Sequence, residues 1–223
     1  MIRAIIFDFD GLLIDTESPA LHSWQMLYQH YDYELTLALW QHTLGTSHGF
    51  DPLEHLALLL QQQDPPITLD LEAERSRRET LKYSLSENQP LLPGVLHKLD
   101  EAAALGYPCA VASSSDRAWV EHWLHKHSIY NRFVCVRTAD DVALTKPAPD
   151  LFLAAAECLG IEPAACLVFE DSPNGILAAH AAGMRCVAVP GPVARLLELP
   201  PAELRLSSLA ELPLPAIVAR VLE

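Results

Sequence analysis

The chain has 223 residues, half of them hydrophobic, so it can bury one sizeable core and a smaller accessory domain. Its formal net charge is −14 at pH 7. A strongly acidic surface repels nucleic-acid phosphates and anionic lipids, so we expect neither nucleic acid nor a membrane as a partner. A site for an anionic substrate in such a chain needs a local cation, which a metal ion, a lysine or a helix N-terminus can supply.

The cysteines and the apolar runs indicate a cytoplasmic protein. The cysteines are odd in number and form no C-x-x-C pair, which favours free, buried thiols in a reducing compartment. No signal peptide pattern opens the sequence, and no apolar run reaches the roughly 20 residues that span a bilayer. The cysteines are Cys109, Cys135, Cys158, Cys166 and Cys186.

The N-terminal part of the chain predicts one strand followed by helices. Residues Ala4–Phe9 are typical of a short buried strand. After a loop, Thr16 is expected to cap a helix with Pro19 near its first turn. That helix carries a predicted apolar stripe of Leu21, Trp24, Leu27, Tyr28 and Tyr31. Further helices are predicted at about Leu35–Leu44, Leu53–Gln62 and Leu71–Ser86. No convincing strand interrupts this stretch, so it predicts an all-helical insert.

From Pro93 onward, strands alternate with helices, which predicts a parallel sheet covered on both faces. The predicted strands are Cys109–Ser113, Val134–Arg137, Cys166–Phe169 and Arg185–Val189. The predicted helices are Val95–Leu105, Arg117–His127, Asp150–Leu159 and Asn174–Ala182. A short strand or turn and a helix are expected within Leu204–Val221. The predicted fold is a doubly wound α/β core formed by residues 1–15 and 90–223, with a helical cap domain at 16–89.

Chemically active side chains follow the predicted strands at the point where each strand ends. Ligands of open α/β sheets bind beyond the carboxyl ends of the strands, so these side chains should share one edge of the sheet. They are Asp8, Asp10, Ser113, Ser114, Ser115, Lys146, Glu170 and Asp171.

This combination of residue types predicts phosphoryl transfer. Clustered carboxylates repel one another unless a hard cation lies among them, and Mg²⁺ prefers oxygen ligands. One carboxylate can then attack phosphorus, while a second protonates the leaving oxygen and later activates water. Hydroxyl groups, main-chain N–H groups and a lysine would bind the equatorial oxygens, which carry negative charge in the transition state.

Four segments resemble the motifs of the haloacid dehalogenase superfamily, in the expected order and across nearly the whole chain. Asp8–Thr16 resembles the first motif, Val111–Ser115 the second, Lys146-Pro147 the third and Glu170–Gly175 the fourth. The similarity is greatest to the subgroup of β-phosphoglucomutase and sugar-phosphate phosphatases. The resemblance implies a Rossmann-like core with an inserted cap that closes over the site.

The resemblance also implies a role for each matching residue. It makes Asp8 the nucleophile and a magnesium ligand, and Asp10 the general acid and base, with its main-chain carbonyl on the metal. The other implied roles are metal binding by Glu170 and Asp171, phosphate binding by Ser113, Ser114 and Lys146, and a hinge to the cap at Asp15 and Thr16.

Asp10 favours phosphate esters among the reactions of this superfamily. The dehalogenases resemble this chain in fold but lack an acid at that position, because carbon–halogen cleavage requires no proton for the leaving group. We therefore expect a magnesium-dependent phosphomonoesterase that acts on a small phosphorylated metabolite, such as a sugar phosphate, through an aspartyl phosphate. A monomer is expected, with a dimer left open.

Two alternatives remain at this point. The first is a phosphomutase like β-phosphoglucomutase, whose cap carries an arginine in a Gly-x-Ser-Arg segment. This chain reads Gly45-Thr46-Ser47-His48 there, and histidine is a poorer phosphate ligand than a bidentate arginine. The second is a non-catalytic binding protein on the same scaffold, which the presence of the full set of acids disfavours.

Overall fold

The computed structural model describes residues 1–40 and 50–223. The described residues form a six-stranded, fully parallel sheet with the strand order β3-β2-β1-β4-β5-β6. The strands are β1 (Ala4–Phe7), β2 (Cys109–Ala112), β3 (Cys135–Arg137), β4 (Cys166–Glu170), β5 (Arg185–Ala188) and β6 (Leu204–Arg205). This arrangement confirms the predicted doubly wound α/β fold.

The central strands are apolar on both faces because helices cover both sides of the sheet. Ile5 and Phe7 of β1 pack into one core cluster, whereas Ala4 and Ile6 pack into the other. The first cluster contains side chains of α5 (Val95–Ala104), α6 (Arg117–Lys126) and α9 (Leu214–Arg220). The second contains side chains of α7 (Asp150–Leu159) and α8 (Pro173–Ala181).

The helices between β1 and α5 have a core cluster of their own. Among the described residues they are α1 (Glu17–His30), α2 (Leu37–Trp40), α3 (Pro52–Gln61) and α4 (Leu71–Ser86). Trp24 and Tyr28 of α1 are buried in this cluster, and the Tyr28 hydroxyl donates to the carbonyl of Pro52 over 2.7 Å. Val193, which follows β5, belongs to the same cluster. We propose that this helical unit is the cap predicted at residues 16–89.

Two local differences from the predicted elements concern the chain after β1. The strand ends at Phe7 and not at Phe9, because the carbonyl of Phe9 accepts a turn hydrogen bond from the N–H of Leu13 over 3.0 Å. Thr16 lies at the N-cap of α1, but its side chain makes no capping hydrogen bond. Its hydroxyl donates to Asp10 instead.

The prediction of free thiols is wrong for one pair of cysteines. Cys135 of β3 and Cys158 of α7 form a disulfide with a Cα–Cα distance of 6.7 Å. The two residues are separated by 23 positions, and they meet only because α7 packs on β3. Cys109, Cys166 and Cys186 are free and buried. Within the described residues, no helix is long and apolar enough to cross a membrane.

The start of α5 depends on a glycine whose φ of +93° lies in the left-handed region. A Cβ atom on Gly94 would overlap main-chain atoms of Leu209 and Ala210. Gly160, at the end of α7, also has a positive φ of +65°, but no described atom lies within 4 Å of the position of its Cβ. A side chain at Gly160 would cause backbone strain alone, whereas a side chain at Gly94 would cause both backbone strain and steric overlap.

We predict that Gly94→Ala lowers the free energy of unfolding by more than Gly160→Ala. The Gly160 variant should lose about 1–2 kcal/mol, the usual cost of a left-handed non-glycine residue. The Gly94 variant should lose at least about 1 kcal/mol more, because α5 must move away from the segment that it contacts. Urea unfolding of both variants measures the difference, and equal losses would contradict the packing shown here.

Candidate active site

The candidate site lies where the strand order reverses direction. After β1 the chain forms β2 and β3 on one side, then returns to form β4 on the other side of β1. Phe7 pairs with Phe169, so β1 and β4 end side by side. The chain leaving β1 delivers Asp8, and the chain leaving β4 delivers Glu170 and Asp171. Ligand-binding crevices of open α/β sheets form at this kind of position.

Three buried carboxyl groups meet there. Asp8, Glu170 and Asp171 each offer an oxygen, and these oxygens lie within 4.8 Å of one another. The three residues are at most 5% exposed. The distance requirement that a shared metal ion imposes on Asp8 and Asp171 is therefore met.

Lys146 is the cation of this cluster and comes from the loop after β3. Its Nζ donates to Oδ1 of Asp8 and, over 2.6 Å, to Oε1 of Glu170. The lysine is 1% exposed. Burial opposes its charge, but the carboxylates of Asp8 and Glu170 raise the pKa of Lys146 above its ordinary value.

Negative charge in the cluster is not balanced by the lysine alone. Burial and then the charge of Glu170 raise the pKa values of Asp8 and Asp171 well above the ordinary range of aspartate. Ionised forms of both aspartates would therefore need a further cation in the site. The donor set consists of carboxylate oxygens, which suits a hard divalent ion such as Mg²⁺. The residues present thus fit the predicted metal.

Glu170 is oriented by the start of α8. Its Oε2 accepts hydrogen bonds from the N–H of Ser172 over 2.9 Å and from the Ser172 hydroxyl over 3.0 Å. The same hydroxyl accepts from the N–H of Gly175 over 3.1 Å, so it also caps the helix. A Cβ atom on Gly175 would overlap the Glu170 carboxylate. The glycine is required here because the acid lies directly against the helix.

The side chain of Asp10 lies apart from this cluster, in a set of hydroxyl and N–H donors. Its Oδ1 accepts from the Thr16 hydroxyl over 2.7 Å and from the indole N–H of Trp119 over 2.9 Å. Its Oδ2 accepts from the hydroxyls of Ser113 over 3.1 Å and Ser115 over 2.7 Å. Asp8 and Asp10 are two positions apart, yet a charged ammonium group donates to Asp8, whereas neutral groups donate to Asp10.

The residues predicted to bind phosphate are divided between the acidic cluster around Asp8 and the hydrogen-bond donors around Asp10. Lys146 contacts Asp8, whereas the Ser113 hydroxyl contacts Asp10 and accepts from the N–H of Ser115 over 3.0 Å. Ser114 follows β2 and is half-buried between these serines in the sequence. Phosphate binding by the three predicted residues remains a proposal.

Three residues at the site were not singled out as site residues from the sequence: Trp119, Lys82 and Glu17. Trp119 binds Asp10 beside Ser115, which was expected at this edge of the sheet, and Nζ of Lys82 lies 3.8 Å from the centroid of the Trp119 ring. Burial lowers the pKa of Lys82. Glu17 begins α1, and burial followed by the charge of Asp10 raises its pKa to about 8. One signal for Trp119 existed, since a side chain in the first turn of a helix points back towards the preceding strand end.

Comparison with known proteins identifies the family of this chain. The family model described as haloacid dehalogenase-like hydrolase matches residues 5–189. YhcW of Bacillus subtilis (strain 168) is 41% identical over 214 residues, which cover 96% of this chain and 95% of that protein. The fructose-1-phosphate phosphatase YqaB of Escherichia coli (strain K12) is 34% identical over 187 residues, covering 83% and 95%.

This chain is also similar to a solved structure over nearly its full length. CbbY from Rhodobacter sphaeroides, in complex with phosphate, has a TM-score of 0.74 and 30% identity, and the match covers 95% of this chain and 96% of that one. The chain therefore belongs to the haloacid dehalogenase-like hydrolases, as its four motifs predict, and is a phosphatase of that family.

Proposed function

We propose that this phosphatase hydrolyses a small phosphorylated metabolite with Asp8 as its covalent nucleophile and Mg²⁺ as its cofactor. The observation that carries the proposal is the buried cluster of Asp8, Glu170 and Asp171, in which the ammonium group of Lys146 contacts Asp8 and Glu170. A carboxylate fixed by a lysine and facing two further acids is suited to attack on a phosphorus atom whose charge a metal ion offsets.

The metal would be held by Asp8, Glu170 and Asp171, together with the main-chain carbonyl of Asp10. When bound, Mg²⁺ offsets the charges of nucleophile and ester, which would otherwise repel each other. Lys146 favours the ionised form of Asp8, although it does not by itself offset burial, and it fixes the rotation of the carboxylate, because its Nζ holds Oδ1 and leaves Oδ2 for attack. Ser172 orients Glu170 through two hydrogen bonds.

The reaction divides into two transfers. In the first, Asp8 bonds to phosphorus, the ester P–O bond breaks, and the leaving oxygen takes a proton from Asp10. In the second, Asp10 removes a proton from water, the water oxygen bonds to phosphorus, and the aspartyl phosphate bond breaks. Lys146, the Ser113 hydroxyl and the Ser114 main chain would bind the equatorial phosphate oxygens during both transfers.

Sugar phosphates are the first substrate class to test. YqaB, which shares 34% identity with this chain, is named for fructose 1-phosphate. The segment Gly45–His48, on which the mutase alternative depends, lies outside the described residues. Because YqaB is named a phosphatase and His48 stands where the mutases carry an arginine, we propose phosphate release and not phosphate transfer between two positions of a sugar.

We predict that Asp8→Asn abolishes phosphate release from a panel of metabolite phosphates and from p-nitrophenyl phosphate. The amide is isosteric but is not a nucleophile, so kcat should fall by at least about 1,000-fold. Inorganic phosphate release with magnesium measures this. Asp32→Asn is a matched control, because Asp32 is exposed and its φ of 60° is one that asparagine tolerates. Turnover by the Asp8 variant at the rate of the control would refute the nucleophile.

We predict that Gly175→Ala weakens the response to magnesium. The new Cβ would displace the Glu170 carboxylate, and changes next to metal ligands usually cost about 10- to 100-fold in metal affinity. Activity measured against magnesium concentration should therefore shift to higher concentrations. Gly183→Ala is the control, because no described atom lies within 4 Å of its Cβ position. Identical magnesium curves for the two variants would exclude Glu170 from the metal site.

A further inference from the structure

We propose that Trp119 is a positioning residue for Asp10. Its indole N–H fixes the rotation of the carboxyl group and reserves Oδ1 as the oxygen that never carries the proton. Oδ2 is then the oxygen that gives the proton to the leaving group. This inference rests on the proposed role of Asp10 as general acid and adds a residue to that role.

The direction of each hydrogen bond supports this assignment. The hydroxyls of Thr16, Ser113 and Ser115 can either donate or accept, so they can adapt to either protonation state of Asp10. The indole N–H of Trp119 can only donate. At 2.9 Å it therefore requires an acceptor at Oδ1 in both states. A proton on the carboxyl group is thereby directed to Oδ2, which faces Ser113 and Ser115.

The same contact favours the product of the proton transfer. When the P–O bond breaks, the Oδ2–H proton passes to the leaving oxygen and Asp10 becomes a carboxylate. The hydroxyls of Thr16 and Ser115 then turn to donate, while the Trp119 hydrogen bond stays in place and becomes charge-assisted. Of the four contacts to Asp10 among the described residues, only the one from Trp119 has a fixed direction.

Neighbouring side chains fix the position of the Trp119 indole ring. Trp119 is 9% exposed, and Nζ of Lys82 lies 3.8 Å from its centroid on the face of the ring. Tyr83 and Trp123 meet it edge-on, with centroid distances of 6.0 and 5.4 Å. Lys82 and Tyr83 belong to α4, so the helical unit contributes to the placement of a residue of α6.

The chain supplies a matched control on the same helix. Trp123 is fully buried one turn after Trp119, but its indole N–H has no hydrogen-bond partner among the described residues. Trp119→Phe and Trp123→Phe therefore remove the same atoms. Only the first substitution removes a hydrogen bond to Asp10.

The test compares two aryl esters, measured as kcat/KM with magnesium. Phenolate is a poor leaving group that needs a proton, whereas 2,4-dinitrophenolate leaves as a stable anion. Trp119→Phe should lower kcat/KM for phenyl phosphate by about 10-fold, a part of the 100- to 10,000-fold that general acid catalysis supplies. For 2,4-dinitrophenyl phosphate the value should stay near that of the unmodified enzyme. Trp123→Phe keeps an aromatic ring beside Trp119 and leaves the hydrogen bond to Asp10 in place, so it should show no such dependence on the leaving group.

A rescue variant covers the case in which Trp119→Phe does not fold. The five-membered ring of histidine carries Nε2–H where the indole carries Nε1–H, so Trp119→His keeps the donor and loses the second ring. It should retain most of the activity on phenyl phosphate at a pH where imidazole is neutral. A loss confined to phenyl phosphate in this variant would overturn the proposal.

Asp10→Asn distinguishes a failure of the role of Trp119 from a failure of the role of Asp10. Suppose that Asp10→Asn loses far more activity on phenyl phosphate than on the dinitrophenyl ester. If Trp119→Phe then loses activity on both esters equally, or on neither, only the inference about Trp119 fails. If Asp10→Asn shows no dependence on the leaving group, the proposed role of Asp10 fails and the inference fails with it. In both cases Asp8→Asn still tests the nucleophile independently.

Discussion

The burial of three carboxyl groups against one lysine is the constraint on which the rest of the site depends. Charges removed from water are costly unless they are paired and hydrogen-bonded, and Asp8, Glu170 and Asp171 outnumber Lys146 within this cluster. The parallel sheet creates the crowding because β1 and β4 end side by side at the reversal of strand order. The start of α8 then packs closely enough to fix Glu170 through Ser172. A divalent cation would relieve the remaining repulsion, so we propose that the cluster that costs stability also prepares the site for an anionic ester.

Two neighbouring aspartates acquire different chemistry from their surroundings. Asp8 faces a lysine and two acids, whereas Asp10 faces three hydroxyls and an indole N–H in the described part of the chain. Pairs of carboxyl groups in unlike environments are a common basis for dividing nucleophile and acid roles. The helical unit takes part in this division, since Thr16 donates to Asp10 and Lys82 contacts the Trp119 ring. Groups outside the sheet thus help to set the orientation of the proposed proton donor.

The sequence predicts what local pattern determines. The strand endings predict that Asp8, Glu170 and Asp171 converge, because apolar runs fix the sheet and a parallel sheet brings its strand ends to one edge. Contacts that depend on packing between distant elements could not be predicted from the sequence. The capping preference of threonine is overridden at Thr16 by Asp10, and the Cys135–Cys158 disulfide follows from the packing of α7 on β3. Trp119 was predicted only as part of a helix, because its pattern indicates a buried ring and does not show where the N–H points.

Calorimetric titration of magnesium into the metal-free chain shows whether the buried acids bind a single divalent ion. We expect one binding site in the unmodified protein. We also expect Asp171→Asn, which replaces one carboxylate by an isosteric amide, to remove this site while circular dichroism shows the fold retained. Binding of magnesium to the Asp171 variant with unchanged affinity, or no binding to the unmodified chain, would show that the acidic cluster is not a metal site.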